Sequence, residues 1–270
     1  MSGKRGVVMG VINKWSIAWG IAKALDEAGA EIAFTTMDGA ISEKVKSLCT
    51  ELQNEHKFYE CNVKKDESIS ECFDAIERDV GKIDFLVHSI AFADKNFLKG
   101  KYSAVTREAF CESMDVSCYS FTACAARAEQ IMNDNGSMLT LSYYGAEKYV
   151  TNYNVMGVAK AALEASVKYL AYDFGERGIR VNSISAGPVK TISAKGISDM
   201  DQLTDWCKTM GPIKKTASIE EIGQSALYLI SNMSSGVTGE ILHVDCGYNV
   251  CGVPKKDSIQ SIVKMNSDLQ

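Results

Sequence analysis

Tyr153 and Lys160 stand seven residues apart in the run YNVMGVAKAALEASVKYLAYDF. An α-helix advances about 1.5 Å and 100° per residue, so an i, i+7 pair returns to nearly the same face roughly 10 Å along the axis. A phenol and an ammonium lining one wall can serve an oxygen on which negative charge develops. The residue four positions after Tyr153 is Gly157, which has no group to offer. When a carbonyl is reduced directly, the donor must touch the oxygen bonded to the carbon that receives the hydride. In a conjugate reduction the hydride lands on the β-carbon while charge develops on an oxygen three bonds away, and the donor belongs where the charge develops. The wider spacing suits conjugate reduction. Taken alone, the pair also fits a surface Tyr and Lys on an ordinary amphipathic helix, so the rest of the chain must decide.

Apolar runs of strand length alternate with helix-period segments along most of the 270 residues. Strands are predicted over 6–10, 31–35, 58–61, 85–88, 138–141 and 180–185. Helices are predicted over 16–28, 41–53, 68–80, 116–131, around Tyr153 and Lys160, and over 219–231. Repeated switching between periods of two and 3.6 predicts an α/β fold, a doubly wound parallel sheet of Rossmann type with helices on both faces. With three prolines and no low-complexity linker, one domain spanning 1–270 is the economical reading. Pro188 and Pro212 bracket a mixed polar and apolar connection. A long connection inside a compact domain is either disordered or functional, and the expectation here is a substrate lid at about 189–212.

Composition narrows the function classes. Lys and Arg total 29 against 34 Asp and Glu, a formal net charge of −5, without a dense basic cluster to bind nucleic acid. The nine cysteines have no C-x-x-C and no paired framework, which points to reduced thiols in a reducing compartment. His56, His88 and His243 are far apart, and no Cys/His group has zinc-ligand spacing, so no metal is expected. The start of the chain runs into an apolar strand with no signal-peptide pattern, and no apolar run has transmembrane length. A cytoplasmic protein that is not in a membrane is the expectation.

Gly10 follows the first predicted strand, with Ser16, Ala18 and Gly20 in a G-x5-S-x-A-x-G pattern. A tight strand-to-helix turn there would bring backbone N–H groups and a helix N-terminus to a pyrophosphate, and Ser16 could also cap the helix. A glycine turn with a capping serine and no ligand fits the same residues. Thr36, Met37 and Asp38 end the second strand without an Arg or Lys beside them to meet a 2′-phosphate, which favours NADH over NADPH. Lys14 and Lys44 lie near enough in sequence to qualify that preference. Asn62 and Val63 at the end of the third strand could meet the edge and face of an adenine, or simply make a strand-end turn.

Six segments in order, GVINKWSIAWG from Gly10, VHSIAFA from Val87, LTLSYYGAE from Leu139, YNVMGVAK from Tyr153, RVNSISAGPVKT from Arg180 and GEILHVD from Gly239, give the chain a resemblance to a known family. It resembles the bacterial NADH-dependent enoyl-acyl-carrier-protein reductases, a divergent branch of the short-chain dehydrogenases, over essentially its whole length. The ordinary branch spaces its Tyr and Lys i, i+4, and shows Asn-Asn-Ala-Gly where this chain has His88, Ser89, Ile90 and Ala91.

The resemblance implies an activity: NADH-dependent reduction of trans-2-enoyl thioesters on acyl carrier protein to saturated acyl thioesters, in fatty-acid elongation. It implies that Tyr153 stabilises the enolate, that Lys160 holds the nicotinamide ribose, and that Tyr143 is a second aromatic in the acyl pocket. Gly10, Ser16 and Ile17 match the pyrophosphate turn, and Met37 after the second strand is a further expected cofactor-binding residue. Asn62 and Val63 match the adenine position, and Ser89 and Ile90 the strand end beside the ribose. Val189, Lys190, Thr191, Ile192 and Ser193 match the segment that contacts the nicotinamide and enters the lid. Met156 and Ala194 would line the acyl channel, and Ala93 would contact substrate through its backbone. A homotetramer is expected by the same analogy, through the helices near 117–131 and 153–174.

Two departures stand out. Asn62 replaces a common aspartate, so a hydrogen bond to the adenine amino group would lose charge assistance. Ala91 replaces a frequent glycine and adds a methyl near the pocket. Two other readings compete: a ketoacyl or alcohol dehydrogenase of the ordinary branch, which needs the missing i+4 lysine, and a nucleotide-sensing protein that kept the fold without turnover.

Overall fold

A computed structural model describes residues 1–37, 40–54, 56–189, 200–253, 255 and 257–258. Seven parallel strands form one sheet: β1 (Arg5–Met9), β2 (Glu31–Thr36), β3 (Lys57–Glu60), β4 (Ile83–His88), β5 (Met132–Ser142), β6 (Arg180–Ala186) and β7 (Ile241–Val244). Their order is β3-β2-β1-β4-β5-β6-β7. Numbering runs outward in both directions from β1 and β4, so the crossovers diverge there and leave a crevice at the carboxyl ends of those two strands.

The sheet is buried on both faces because its strands are apolar at successive positions. Val7 and Met9 point into one core with Phe73 and Ile76 of α3 (Asp66–Val80), Phe121 and Ala125 of α5 (Ser120–Ile131), and Leu163 and Val167 of α6 (Asn154–Asp173). Val8, Ile32 and Phe34 point to the other side, against Ile21 and Leu25 of α1 (Ile17–Glu27) and Ile222 and Ala226 of α8 (Ile219–Ile230). This alternation is the period of two of a strand, used twice.

Several boundaries differ from those predicted. The helix expected from Val116 begins at Arg107: α4 (Arg107–Met114) leads through one π-helical turn (Asp115–Tyr119) into α5. Its first residues, REAFCES, bury little and so carry a weak helical stripe, while Thr106 caps them by accepting from Ala109 N. β5 starts at Met132, six residues early. Its register with β4 shifts between Ile83 and Phe85, and Asn135 has a positive φ of 62°, so the alternation visible in sequence begins only after the irregularity. Within the predicted lid, residues 200–210 form α7 (Met200–Met210), with Cys207 buried. β7 was not predicted as a strand. It pairs with β6 from Ser183↔Ile241 to Ala186↔Val244.

Candidate active site

Tyr153, Lys160 and Tyr143 converge at the carboxyl end of β5. Tyr153 occupies the N-cap of α6 with φ −119° and ψ −20°, so it precedes the helix rather than lying within it, and Asn152 before it has a positive φ of 61°. The turn at Asn152, as well as helical spacing, therefore places the phenol. Its side is 7 % exposed, and its ring meets that of Tyr143 edge-on, with centroids 4.9 Å apart and planes at 66°. Gly145 makes this approach feasible, since a Cβ there would stand 2.4 Å from Tyr153 Cδ1. Burial pushes both phenols above the ordinary tyrosine range, so each is a neutral O–H donor. Tyr143 Oη is buried and has no hydrogen-bond partner among the described residues.

Lys160, one of the few buried cations, donates from Nζ to Leu141 O at 2.6 Å. Burial pushes it down to about 8, against the opposing influence of Cys118 and Glu164. An ammonium with one backbone acceptor retains two further N–H groups for a ligand. His88 lies nearby on β4, fully buried, with Nε2 2.9 Å from Ser120 Oγ. Burial and then the Lys160 charge push it down to about 3, so it is neutral.

A separate apolar cluster surrounds the phenols. Tyr153, Val155, Met156 and Leu98 form its buried part, with Ala93, Phe97, Val105, Tyr143 and Val150 packed against it. The four described residues expected to contact substrate, Ala93, Tyr143, Tyr153 and Met156, thus share one patch. Phe97, Leu98, Val105 and Val150 went unnoticed in sequence, because short turns give no periodicity to read. Ser117, buried on the π-helical turn, also escaped notice: its hydroxyl accepts from Phe92 N at 2.9 Å and donates to Phe92 O at 2.8 Å, fixing the backbone beside Ala93.

The expected cofactor residues that are described follow the carboxyl ends of β1 to β4 and β6, apart from Lys160 on α6. Gly10, after β1, has φ +94°, and a Cβ there would stand 2.0 Å from Ser89 O, so the turn requires glycine. Ser89 N donates to Met9 O at 3.2 Å, joining the β1 and β4 exits at the crevice. Ser16 stands at the N-cap of α1 but does not cap it. Its Oγ turns back to accept from Ile12 N at 3.1 Å and Asn13 N at 3.2 Å, which folds the loop and leaves the start of α1 at Ile17 open to an anion. Asn62 Oδ1 accepts from Lys64 N at 3.1 Å, so this residue does make a strand-end turn. Val63 is buried beside it, and Ile90 packs against the same core. Met37 is exposed after β2, and Lys14 lies over the Trp15 ring at 4.9 Å. Val189 packs against the opposite core. Lys190, Thr191, Ile192, Ser193 and Ala194 lie outside the described residues, as does Asp38. A tight glycine turn, an open helix start and a buried lysine on the crevice fit a dinucleotide.

The family profile described as "Enoyl-(Acyl carrier protein) reductase" matches residues 10–249. The chain belongs to the enoyl-acyl-carrier-protein reductase family. It is 57 % identical to enoyl-[acyl-carrier-protein] reductase [NADH] 1 of Rhizobium meliloti, over 96 % of this chain and 94 % of that one. The NADH enzyme of Bacillus cereus is 46 % identical over 93 % and 99 % of the two chains. Among solved structures, the Anaplasma phagocytophilum reductase in complex with NAD superposes with a TM-score of 0.90 at 48 % identity, over 95 % of this chain and 96 % of that one. The Bacillus cereus reductase with NADP+ and indole naphthyridinone gives 0.92 at 46 % identity, over 93 % and 98 %. As a reductase of this family, the chain is a nicotinamide-dependent oxidoreductase with a Rossmann-type fold.

Glu164 lies on the polar side of this candidate site, one helical turn beyond Lys160. Ser142, at the end of β5 beside Tyr143, donates from its hydroxyl to the Glu164 carboxylate. Burial holds Glu164 above its ordinary value, although this hydrogen bond works to lower it. On sequence alone it was indistinguishable from the solvated glutamates of an amphipathic helix.

Proposed function

We propose that this chain reduces trans-2-enoyl thioesters borne on acyl carrier protein to saturated acyl thioesters, using NADH, in the elongation of fatty acids. The observation that carries the proposal is the edge-on pair of neutral phenols in an apolar patch, Tyr153 buried and Tyr143 half-buried, with the Lys160 ammonium behind them. Reduced nicotinamide, when bound, would supply the hydride for the β-carbon, and a proton from solvent would complete the α-carbon. Tyr153 donates its hydroxyl to the thioester oxygen as the enolate forms, Lys160 directs its free N–H groups to the nicotinamide ribose, and the patch around Met156 and Ala93 excludes water from the acyl chain. The open start of α1 receives the pyrophosphate, with Gly10 and Ser16 shaping the loop. Asn62 and Val63 meet the adenine, and Ser89 and Ile90 the ribose. Val189 begins the connection assigned as a substrate lid at about 189–212, of which 190–199 lie outside the described residues.

We assign the chain one catalytic domain and a homotetrameric assembly in the cytoplasm. Val158, Tyr169 and Tyr172 expose an apolar stripe on α6, with Tyr172 87 % accessible, and such a stripe is a face for another subunit. Nine free cysteines suit a reducing compartment, and no helix among the described residues is long and apolar enough to cross a membrane.

The test follows NADH oxidation with an enoyl thioester, a ketoacyl thioester and no acyl substrate. Turnover of the enoyl thioester alone is expected. Turnover of the ketoacyl thioester would favour the ordinary dehydrogenase, and binding of NADH without turnover a sensor. Substituting NADPH should lower kcat/KM, since Thr36 and Met37 offer no cation to a 2′-phosphate.

A further inference from the structure

The geometry points to Glu164 as a positioning residue of this site: its carboxylate ties down the end of β5 through Ser142 and places a negative charge one helical turn from Lys160. The inference rests on the proposed role of Lys160 in holding the cofactor ribose.

Two strand-end contacts frame the arrangement. Lys160 Nζ takes Leu141 O, and Glu164 takes the hydroxyl of the next residue, Ser142, which is buried. Residues four apart on a helix stand one above the other, so α6 grips successive residues of β5 with a cation and an anion. The residue after Ser142 is Tyr143, whose ring sets the position of the Tyr153 ring. A carboxylate fixed here steadies both aromatic side chains without touching substrate.

Its charge acts in one direction on both proton-bearing groups. Glu164 raises Lys160, opposing the burial that lowers it, and adds to the burial that raises Tyr153. An anion beside two groups that must keep their protons favours the protonated form of each. Lys160 is otherwise faced by Cys118 of the π-helical turn and by neutral His88 of β4. Glu164 is faced by Ser142 of β5, by Glu147, by His243 of β7 and by Lys168 of its own helix. His243 Nε2 stands 2.7 Å from the exposed Glu147 carboxylate at the rim. Among these carboxylates, Glu164 is the one placed a single helical turn from Lys160.

The experiment measures NADH affinity of the purified enzyme by fluorescence from about pH 6.5 to 9.5, alongside kcat/KM for an enoyl thioester. In the wild type both should fall as Lys160 loses its proton. Glu164→Gln keeps the acceptor for Ser142 and removes the charge, and should move the midpoint of both profiles down by roughly 0.5–1 pH unit. Ser142→Ala keeps the charge, and should lower kcat at every pH while leaving the midpoint in place. Glu164→Asp should restore the wild-type midpoint, and Glu164→Met should reproduce the Gln shift, so the comparison survives a Gln variant that fails to fold. Equal midpoints in wild type and both uncharged variants would overturn the assignment. Lys160→Arg separates the underlying reading: a guanidinium does not titrate in this range, so the alkaline fall in affinity should vanish. If it persisted unchanged, Lys160 would not be the titrating ribose ligand, whatever Glu164 does.

Discussion

At the scale of single residues, the proposal gives two phenols different roles although their rings touch. Tyr153→Phe should leave NADH affinity nearly intact, because the ring still packs in the patch, and lower kcat by about a hundredfold, near 3 kcal/mol for one donor lost to a developing oxyanion. The loss shrinks if a cofactor ribose hydroxyl also donates. Tyr143→Phe should cost less, since its hydroxyl is assigned no direct contact with that oxygen. Steady-state kinetics on both variants give the order, and a silent Tyr153→Phe beside a damaged Tyr143→Phe would refute the assignment. The chemistry-bearing residue types were legible from sequence because Tyr, Lys and their spacing are written there. The orientation was not: whether two rings meet edge-on depends on the turn at Asn152 and on the missing Cβ of Gly145, which are backbone facts.

At the scale of elements, the β1–α1 connection is built around a conformation that only glycine takes comfortably. Gly10→Ala must accept a positive φ, costing about 1–2 kcal/mol, and must also move the β4 exit away from a Cβ 2.0 Å from Ser89 O. The expected result is a lower melting temperature together with loss of NADH binding, measured by thermal shift with and without cofactor. A variant of normal stability that bound NADH normally would show that the turn is not the pyrophosphate loop. The strong helices and buried strands were readable from their periods. α4 and α7 were not, because a short helix with a mostly polar outer surface has too few buried positions to set a stripe, and β7 was known only as the motif GEILHVD. Ser16 teaches a related lesson. Its type and position predict a cap, but the loop of Ile12 and Asn13 offers its hydroxyl nearer donors.

At the scale of the whole molecule, burial of ionisable groups ties stability to pH. His88 ordinarily titrates at 6.5 and is held down to about 3 in the folded protein. Between these values the unfolded chain binds more protons, so the stability this group confers is complete above about pH 6.5 and drains as pH falls towards 3. Urea titrations across that range should show a shallower decline for His88→Gln than for the wild type, and parallel declines would show that other groups govern acid unfolding. Assembly gives a second test at this scale. Tyr172→Glu places a charge on the exposed α6 stripe, and analytical ultracentrifugation should then find smaller species than for the wild type. An unchanged sedimentation coefficient would remove α6 from the interface.

The sequence by itself determined the class of fold, the order of its main elements and the family, because period, turn residues and long motifs are local properties of a chain. It also singled out the residues proposed to carry the chemistry, from the Tyr153 and Lys160 spacing to the glycine turn at Gly10. Only the tertiary structure decided how these act together. Placing Tyr153 at the cap of α6, pinning Phe92 by Ser117 from a π-helical turn, and setting Glu164 against Ser142 all depend on where separate elements meet. Burial decided the rest, since the same lysine or glutamate on a helix is a solvated charge in water and a tuned, directional group once the sheet covers it.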